Sequence, residues 1–135
     1  MKMKKGYKVD IEKETNKNTY FRRVLYTAEH SQLVLMSLKP REEIGEEIHR
    51  GIDQFFRFEY GKGAVVINGF KHVVKDGSAV IVPAGAKHNV INTSARLNLK
   101  FYTIYSPPDH KDKIVHRTKA EAIAKDKEFD GKTTE

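Results

Sequence analysis

Residues 77–92 form the segment that most constrains how this chain can fold. The β-branched run at 80–82 predicts a strand, and Pro83 and Gly85 end it in a tight turn. His88 then opens a second predicted strand. Because side chains alternate across a strand, the ring of His88 can point into the space that the returning strand encloses. The search for function therefore starts from this histidine.

The chain from about residue 20 to residue 105 is a succession of short β-rich runs separated by turn signals. Asn68-Gly69 and Asp76-Gly77 are flanked by such runs and predict tight hairpin turns. Strands are predicted at 21–26, 32–38, 45–49, 54–60, 63–67, 70–75, 78–82, 88–92 and 97–105. Short strands at regular spacing are typical of a sandwich or a small barrel. We therefore predict an all-β fold.

A chain of 135 residues is long enough for one domain with a core, but not for two. We divide it into an N-terminal arm (1–18), a barrel (19–116) and a C-terminal helix with a frayed tail (117–135). Residues 7–11 of the arm predict a short edge strand, and the alanines and other helix formers at 118–129 predict the helix. No internal repeat is visible, so we expect a single barrel.

The composition limits the chemistry that the chain can perform. It contains no cysteine, which excludes disulfides, thiolate metal sites and a cysteine nucleophile. A metal ion would have to be held by His, Glu, Asp, Gln or Asn side chains. No apolar run approaches the roughly 20 residues of a membrane helix, and no apolar stretch follows the basic first residues as in a signal peptide. We therefore expect a cytoplasmic protein that does not contact a membrane.

The net charge of +7 arises from 25 basic and 18 acidic residues. The lysines are scattered and often lie beside acidic residues, so the chain has no extended basic stripe of the kind that binds nucleic acid. We therefore expect no nucleic-acid partner. The positive balance instead favours a small molecule, with a preference for an anionic one.

The segment 77–92 matches the pattern G-x5-P-x-G-x2-H-x3-N at every fixed position. This pattern is similar to the second motif of the cupin superfamily, and the resemblance spans about residues 33–105. It implies a cupin-type small β-barrel, a double-stranded β-helix that resembles a jelly roll, followed here by a short C-terminal helix. In cupins the motif histidine binds a metal ion inside the barrel, so the resemblance implies that role for His88.

The first cupin motif, G-x5-H-x-H-x3-4-E-x6-G, has a partial counterpart earlier in the chain. When His49 takes the second histidine position, Glu47 falls at the first. Gln54 then falls at the glutamate position and Gly61 at the closing glycine. The resemblance implies a divalent ion, of Zn, Mn, Fe or Ni, and the ligands that it implies are Glu47, His49, Gln54 and His88.

Strand alternation supports the same group of residues. Glu47 and His49 lie two positions apart and therefore face the same side of a strand. One carboxylate with three neutral donors also supplies the same single negative charge as the common cupin site. Two alternatives stay open at this stage. Asp53 replaces Gln54 if the loop bulges by one residue, or the polar side chains form only a hydrogen-bonded core without a metal ion.

Ile48 lies between Glu47 and His49 and would face outward. An apolar side chain in that position implies a surface that covers it, and single-domain cupins usually pair into homodimers. We therefore expect a homodimer, with residues 7–11 of the arm as a segment that could exchange between subunits.

The ligand composition also resembles that of the zinc-dependent phosphomannose isomerases, and the chain is similar to small cupins called mannose-6-phosphate isomerase-like. The leading hypothesis is a metalloenzyme that polarises a small oxygen-rich substrate: a sugar, a sugar phosphate, or a hydroxy or keto acid. The sequence identifies no single base; Glu47, if released from the metal ion on substrate binding, or Tyr102 could serve. One alternative is an oxygenase that uses non-haem iron, because two histidines and a carboxylate also resemble its facial triad. The other is a binding module without catalytic activity.

Overall fold

Two short helices and ten strands occur between residues 3 and 135, the part of the chain that the computed structural model describes. In chain order they are α1 (Ile11–Lys17), β1 (Arg22–Thr27), β2 (Gln32–Leu38), β3 (Glu47–Ile48), β4 (Asp53–Tyr60), β5 (Lys62–Ile67), β6 (Phe70–Lys75), β7 (Ala79–Val82), β8 (Lys87–Asn92), β9 (Leu99–Ser106), β10 (Val115–His116) and α2 (Lys119–Lys125). The strands pair in antiparallel fashion into a six-stranded sheet, β10-β1-β2-β9-β4-β7, and a four-stranded sheet, β3-β8-β5-β6. The predicted all-β fold with a short C-terminal helix is confirmed.

The predicted strands between residues 20 and 106 are all present, with ends that differ by at most two residues. The arm differs from its prediction, and its first two residues lie outside the described part of the chain. Residues 7–10 form no strand, and helix α1 begins at Ile11. The side chain of Asp10 accepts a hydrogen bond from the backbone N–H of Lys13 at 3.2 Å, which stabilises the start of that helix. The predicted edge strand at 7–11 is therefore wrong.

The sheets enclose an apolar core that alternates with outward side chains along each strand. Inward residues of β2, β4 and β9 make up its centre, and they include Val34, Met36, Leu38, Phe56, Phe58 and Phe101. The rings of Phe58 and Phe101 lie 5.0 Å apart, and those of Phe56 and Phe101 lie 5.7 Å apart. Aromatic contacts of this kind add to the burial of apolar area that stabilises the barrel.

Helix α1 covers part of the outer face of the six-stranded sheet. It contacts β2, β4 and β9, and the Nζ of Lys100 on β9 donates to the Asn16 carbonyl oxygen at 2.7 Å. Leu35 on β2 is fully buried although its neighbours Val34 and Met36 face the barrel core. The side chain of Leu35 therefore points away from the core and must be covered from outside the barrel, on the side where α1 packs against β2.

The C-terminal segment returns to the start of the barrel. Strand β10 pairs with β1, and helix α2 begins at its N-cap Thr118, whose hydroxyl accepts from the Glu121 N–H at 3.1 Å. The helix ends at Lys125, earlier than predicted, and Asp126 is already extended. Beyond it, the Phe129 N–H donates to the Asp109 carbonyl oxygen at 2.9 Å. The tail that we predicted to be frayed is also held to the barrel by backbone hydrogen bonding. Neither helix in the described residues is long and apolar enough to cross a membrane.

Gly61 lies in the tight connection between β4 and β5, with a φ of +88°. A Cβ atom at this position would overlap the backbone carbonyl oxygen of Asn98. The position therefore requires glycine for two reasons, the left-handed backbone and the close approach of another segment.

We expect Gly61→Ala to lower the free energy of unfolding by about 2–5 kcal/mol, because backbone strain and steric overlap add together. Gly69→Ala is the matched control: Gly69 has a φ of +84° and no atom within 4 Å of its Cβ position. That variant should lose only the strain, about 1–2 kcal/mol. Urea denaturation measures both values. Equal losses in the two variants would show that the Asn98 backbone does not restrict this position.

Candidate metal centre

The pairing of β3 with β8 places two donor side chains side by side. Glu47 lies directly opposite His88 in the register of these strands, and His49 follows two positions after Glu47. The side-chain donor atoms of these three residues all lie within 4.8 Å of one another. Convergence of a carboxylate and two imidazoles at this distance is a geometry that could hold a divalent metal ion.

His88 is buried and its ring orientation is fixed. Its Nδ1 lies 3.0 Å from the carbonyl oxygen of Ala86, which can only accept a hydrogen bond. The Nδ1 therefore carries the proton, and the lone pair lies on Nε2. A hydrogen bond from Nδ1 to a backbone carbonyl oxygen sets the tautomer that many metal-binding histidines use.

His49 lies between two carboxylates. Its Nε2 is 2.8 Å from an oxygen of Glu47, and its Nδ1 is 3.7 Å from an oxygen of Asp109. Burial alone would lower the pKa of His49, but the hydrogen bond to Glu47 and the charge of Asp109 outweigh it and raise that pKa. Burial would likewise raise the pKa of Glu47, but the hydrogen bond and charge of His49, helped by the charges of Arg22 and His88, lower it.

The two shifts have a consequence for metal binding. Both pKa shifts favour an ionised Glu47 beside a protonated His49, and the hydrogen bond joins atoms that would also ligate a cation. Metal ligands must be deprotonated, so a metal ion would compete with this proton and release it on binding.

The environment of Gln54 indicates whether a metal cation would fit at this position. Its side chain on β4 is 2% exposed, and its Nε2 donates to the Thr103 hydroxyl at 3.0 Å. Its Oε1 is buried and has no hydrogen-bond partner among the described residues. The register pairs Gln54 with Tyr105, whose ring lies 5.8 Å from that of His49. An unsatisfied buried amide oxygen in this neighbourhood fits a role as a hard ligand for a metal ion.

The structure separates the remaining predicted residues from this group. Tyr102 lies on the opposite face of β9 from Thr103 and Tyr105, with its ring 6.3 Å from that of Phe55. It is therefore not placed as a base for the centre. Asp53 is exposed and accepts a hydrogen bond from the Ala84 N–H at 2.8 Å, so it supports a loop instead of replacing Gln54.

Ile48 is 45% exposed, which agrees with its outward assignment. The homodimer that we expected from this exposure stays a prediction, and so does the cytoplasmic location.

A chain of polar contacts leads away from the centre and was not anticipated from the sequence. The Tyr105 hydroxyl lies 3.2 Å from Nε2 of His110, and Nδ1 of His110 lies 3.1 Å from a carboxylate oxygen of Asp126. Burial raises the pKa of Tyr105, which keeps its hydroxyl protonated. The local sequence pattern could not predict the role of Asp126, because this residue reaches the barrel only through the fold of the C-terminal segment.

Arg22 was also missed, although the sequence contained a signal. Together with Arg23 it looks like a surface charge pair, yet Arg22 shares a strand face with Val24, which is buried. The structure buries the Arg22 guanidinium, with Nη1 3.4 Å from Nδ1 of His116 and 4.0 Å from a carboxylate oxygen of Asp126. The guanidinium can only donate, so the neutral His116 ring accepts at Nδ1.

Three cavities border residues of the centre. One, of about 250 Å³, is bordered by Glu47, Arg22 and residues of α2. A second, of about 390 Å³, is bordered by His88, Asn89 and the exposed Lys87. The third, of about 430 Å³, is bordered by His49, Asp109 and the exposed Ile48 and Arg50. The centre is therefore accessible to a small molecule from more than one side.

Two facing antiparallel sheets with donors gathered at one end define the class, a β-barrel that could hold a metal ion. Residues 34–105 match the family model described as a cupin domain, and the chain belongs to this family. It is 47% identical to the Bacillus subtilis (strain 168) protein YrkC over 126 residues, which cover 89% of this chain and 67% of YrkC.

Two further comparisons agree with this assignment. A protein of Acanthamoeba polyphaga mimivirus is 50% identical over 108 residues, which cover 77% of this chain and 67% of the viral protein. The crystal structure of BH2720 from Bacillus halodurans superimposes with a TM-score of 0.85 at 46% identity, covering 88% of this chain and 94% of BH2720. The sequence-based assignment to the cupins is confirmed.

We expect Gln54→Leu to change metal affinity more than stability. The substitution removes an unsatisfied buried oxygen and one hydrogen bond to Thr103, so in chelator-treated protein the free energy of unfolding should change by no more than about 1 kcal/mol. Loss of an oxygen ligand should weaken Zn²⁺ binding at least about tenfold. Competition with a fluorescent zinc chelator measures the affinity. Unchanged affinity with a large loss of stability would show that Gln54 only supports the core.

His116 should make the protein sensitive to acid. Burial lowers its pKa from the usual 6.5, and the charge of Arg22 lowers it further. The unfolded chain therefore binds a proton near pH 6.5 that the folded chain resists, and stability falls as the pH drops through that value. Between about pH 7.5 and pH 5.5, wild type should lose more unfolding free energy in urea than His116→Gln. Parallel pH profiles would contradict this account.

Proposed function

We propose that this cupin binds one divalent metal ion through Glu47, His49, Gln54 and His88. The single observation that carries the proposal is the convergence of the carboxylate and two imidazoles within 4.8 Å. The unsatisfied Oε1 of Gln54 supports a fourth ligand. The donor set, two imidazoles with two hard oxygens, suits Zn, Mn, Fe or Ni.

We further propose that the bound ion serves a reaction of a small oxygen-rich substrate. When bound, the ion would polarise a carbonyl group and acidify the neighbouring C–H, which is the chemistry of an aldose–ketose or a keto-acid isomerisation. The resemblance to the mannose-6-phosphate isomerase-like cupins supports this reaction class, although fold alone does not determine function.

The side chains around the centre divide the proton chemistry between them. Glu47 would be the base only when its carboxylate leaves the ion as the substrate binds, because a carboxylate that ligates the ion cannot accept a proton. Burial raises the pKa of Tyr105, so its hydroxyl stays protonated and can donate a hydrogen bond, and Nε2 of His110 lies 3.2 Å from it. A hydrogen-bond donor to the developing enolate oxygen, together with a base, would support enolisation.

A second candidate function is oxygen chemistry with Fe(II). The observation that favours it is the ligand trio itself, since two histidines and one carboxylate form the facial triad of non-haem iron oxygenases. This candidate differs from the isomerase in requiring Fe(II) and consuming molecular oxygen, so metal identity and oxygen uptake together decide between them.

Elemental analysis of protein purified without a histidine tag tests the metal centre. We expect about one divalent ion per chain in wild type and loss of that ion in both His49→Ala and His88→Ala. His72→Ala is the matched control, because His72 is exposed on β6 and should leave the metal content unchanged. Absence of metal from wild type, even after incubation with each candidate ion, would contradict the proposal.

Turnover is then tested on the metal-loaded protein. NMR spectra of mixed sugars, sugar phosphates and keto acids would show isomerisation, and an oxygen electrode would show uptake that occurs with Fe(II) but not with Zn²⁺. Stabilisation by one of these ligands without any turnover would instead establish a binding module.

A further inference from the structure

The cavity of about 250 Å³ beside Glu47 has a composition that suggests what it binds. Glu47 is a proposed metal ligand, and the opposite wall comes from the beginning and the end of the chain. The lining residues outside the centre include Phe21, Arg22, Ile44, Lys119, Ala122 and Asp126. The volume lies below the range of about 300–1,000 Å³ typical of drug-sized ligands, so it suits a small molecule rather than an oligosaccharide.

Arg22 has more hydrogen-bond donors than the protein satisfies. Its side chain is only 7% exposed, and its Nε is buried without an acceptor among the described residues. The contacts of its Nη1 are long, at 3.4 Å to His116 and 4.0 Å to Asp126. A guanidinium presents five N–H donors in a fixed fork that matches a carboxylate or a phosphate. An oxyanion in the cavity would supply the acceptors that Arg22 lacks.

The charges of the cavity favour an anion once the proposed metal ion is bound. Arg22 and Lys119 balance the carboxylates of Glu47 and Asp126. A divalent ion held at Glu47 would therefore leave two positive charges uncompensated. The other two cavities lack this arrangement, because their cations, Lys87 and Arg50, are exposed to solvent.

We infer that Arg22 and Lys119 form an anion subsite, which binds the oxyanion group of a small substrate whose neighbouring oxygens face the metal centre. This inference rests on the proposed function and names its substrate class, a short hydroxy or keto acid or the corresponding phosphate. Arg22 supplies the fork inside the cavity, and Lys119 supplies a charge from the first turn of α2. Neutral sugars of the same size lack the group that this subsite recognises.

Isothermal titration calorimetry with three related probes tests the subsite. Glycerate, glycerol 3-phosphate and glycerol share adjacent oxygens on three carbons and differ in carrying a carboxylate, a phosphate or no charge. We expect zinc-loaded wild type to bind at least one of the anions more tightly than glycerol. The tighter of the two anions identifies whether the natural group is a carboxylate or a phosphate.

Variants locate the binding to the named residues. Arg22→Met and Lys119→Met should each weaken the anion at least about tenfold, since each removes a charge-assisted contact. Lys125→Met is the matched control, because Lys125 is an exposed lysine on the same helix that does not line the cavity. It should leave the affinity unchanged. Lys119 is only partly buried, so Lys119→Met keeps the test decisive if Arg22→Met fails to fold.

Different results would refute the proposed anion subsite and the proposed metal centre. Elemental analysis of each variant reports whether the ion is retained, independently of the anion titration. If wild type holds no metal, the proposed centre fails, and the anion titrations on that same protein still compare wild type with the two cation variants. Equal anion affinity in wild type and Lys119→Met, glycerol binding as tight as glycerate binding, or no measurable anion binding would overturn the inference.

Discussion

The two-residue strand β3 is the element on which the candidate metal centre depends. Its pairing with β8 sets Glu47 opposite His88, and so short a strand cannot hold its register alone. Neighbouring backbone contacts fix it: the Ile44 N–H donates to the Val90 carbonyl at 2.9 Å, and the Gly85 N–H donates to the His49 carbonyl at 3.0 Å. The turn after β7 therefore serves two purposes, since it reverses the chain before His88 and also anchors the loop that carries His49.

The polar end of the barrel is stabilised less well than its apolar centre. Phe56, Phe58 and Phe101 are fully buried in contact with one another, whereas Gln54 and Arg22 each keep a buried polar atom without a partner. Leaving such an atom unsatisfied costs about 1–3 kcal/mol, and a core that served only stability would replace it with an apolar side chain. Arg22 lines the same cavity as Glu47, and Gln54 pairs with Tyr105, whose ring lies 5.8 Å from that of His49, so a ligand in this region could satisfy both atoms.

The sequence could predict most of the barrel because turn residues and β-branched runs act locally. The motif containing His88 and the alternation of Glu47 and His49 likewise indicated that these three side chains lie close together, and their donor atoms lie within 4.8 Å of one another. Tyr102 was assigned to the wrong face of β9. Leu99 and Phe101 are apolar and lie on the same face as Tyr105, so the alternation of apolar residues along β9 already indicated that Tyr105, not Tyr102, faces inward. Asp109 and Asp126 could not be predicted, because their positions depend on the return of the C-terminal segment.

The two halves of the site differ in where along the chain they come from. Glu47, His49, Gln54 and His88 all lie within the residues 34–105 that match the cupin family model. Arg22 and Lys119 lie outside that range, on the first strand and the last helix. Membership of the family therefore bears on the proposed metal donors but not on the proposed anion subsite. Substitutions in β1 and α2 can alter which small molecule fits without disturbing the donors, so a shared barrel can serve different substrates.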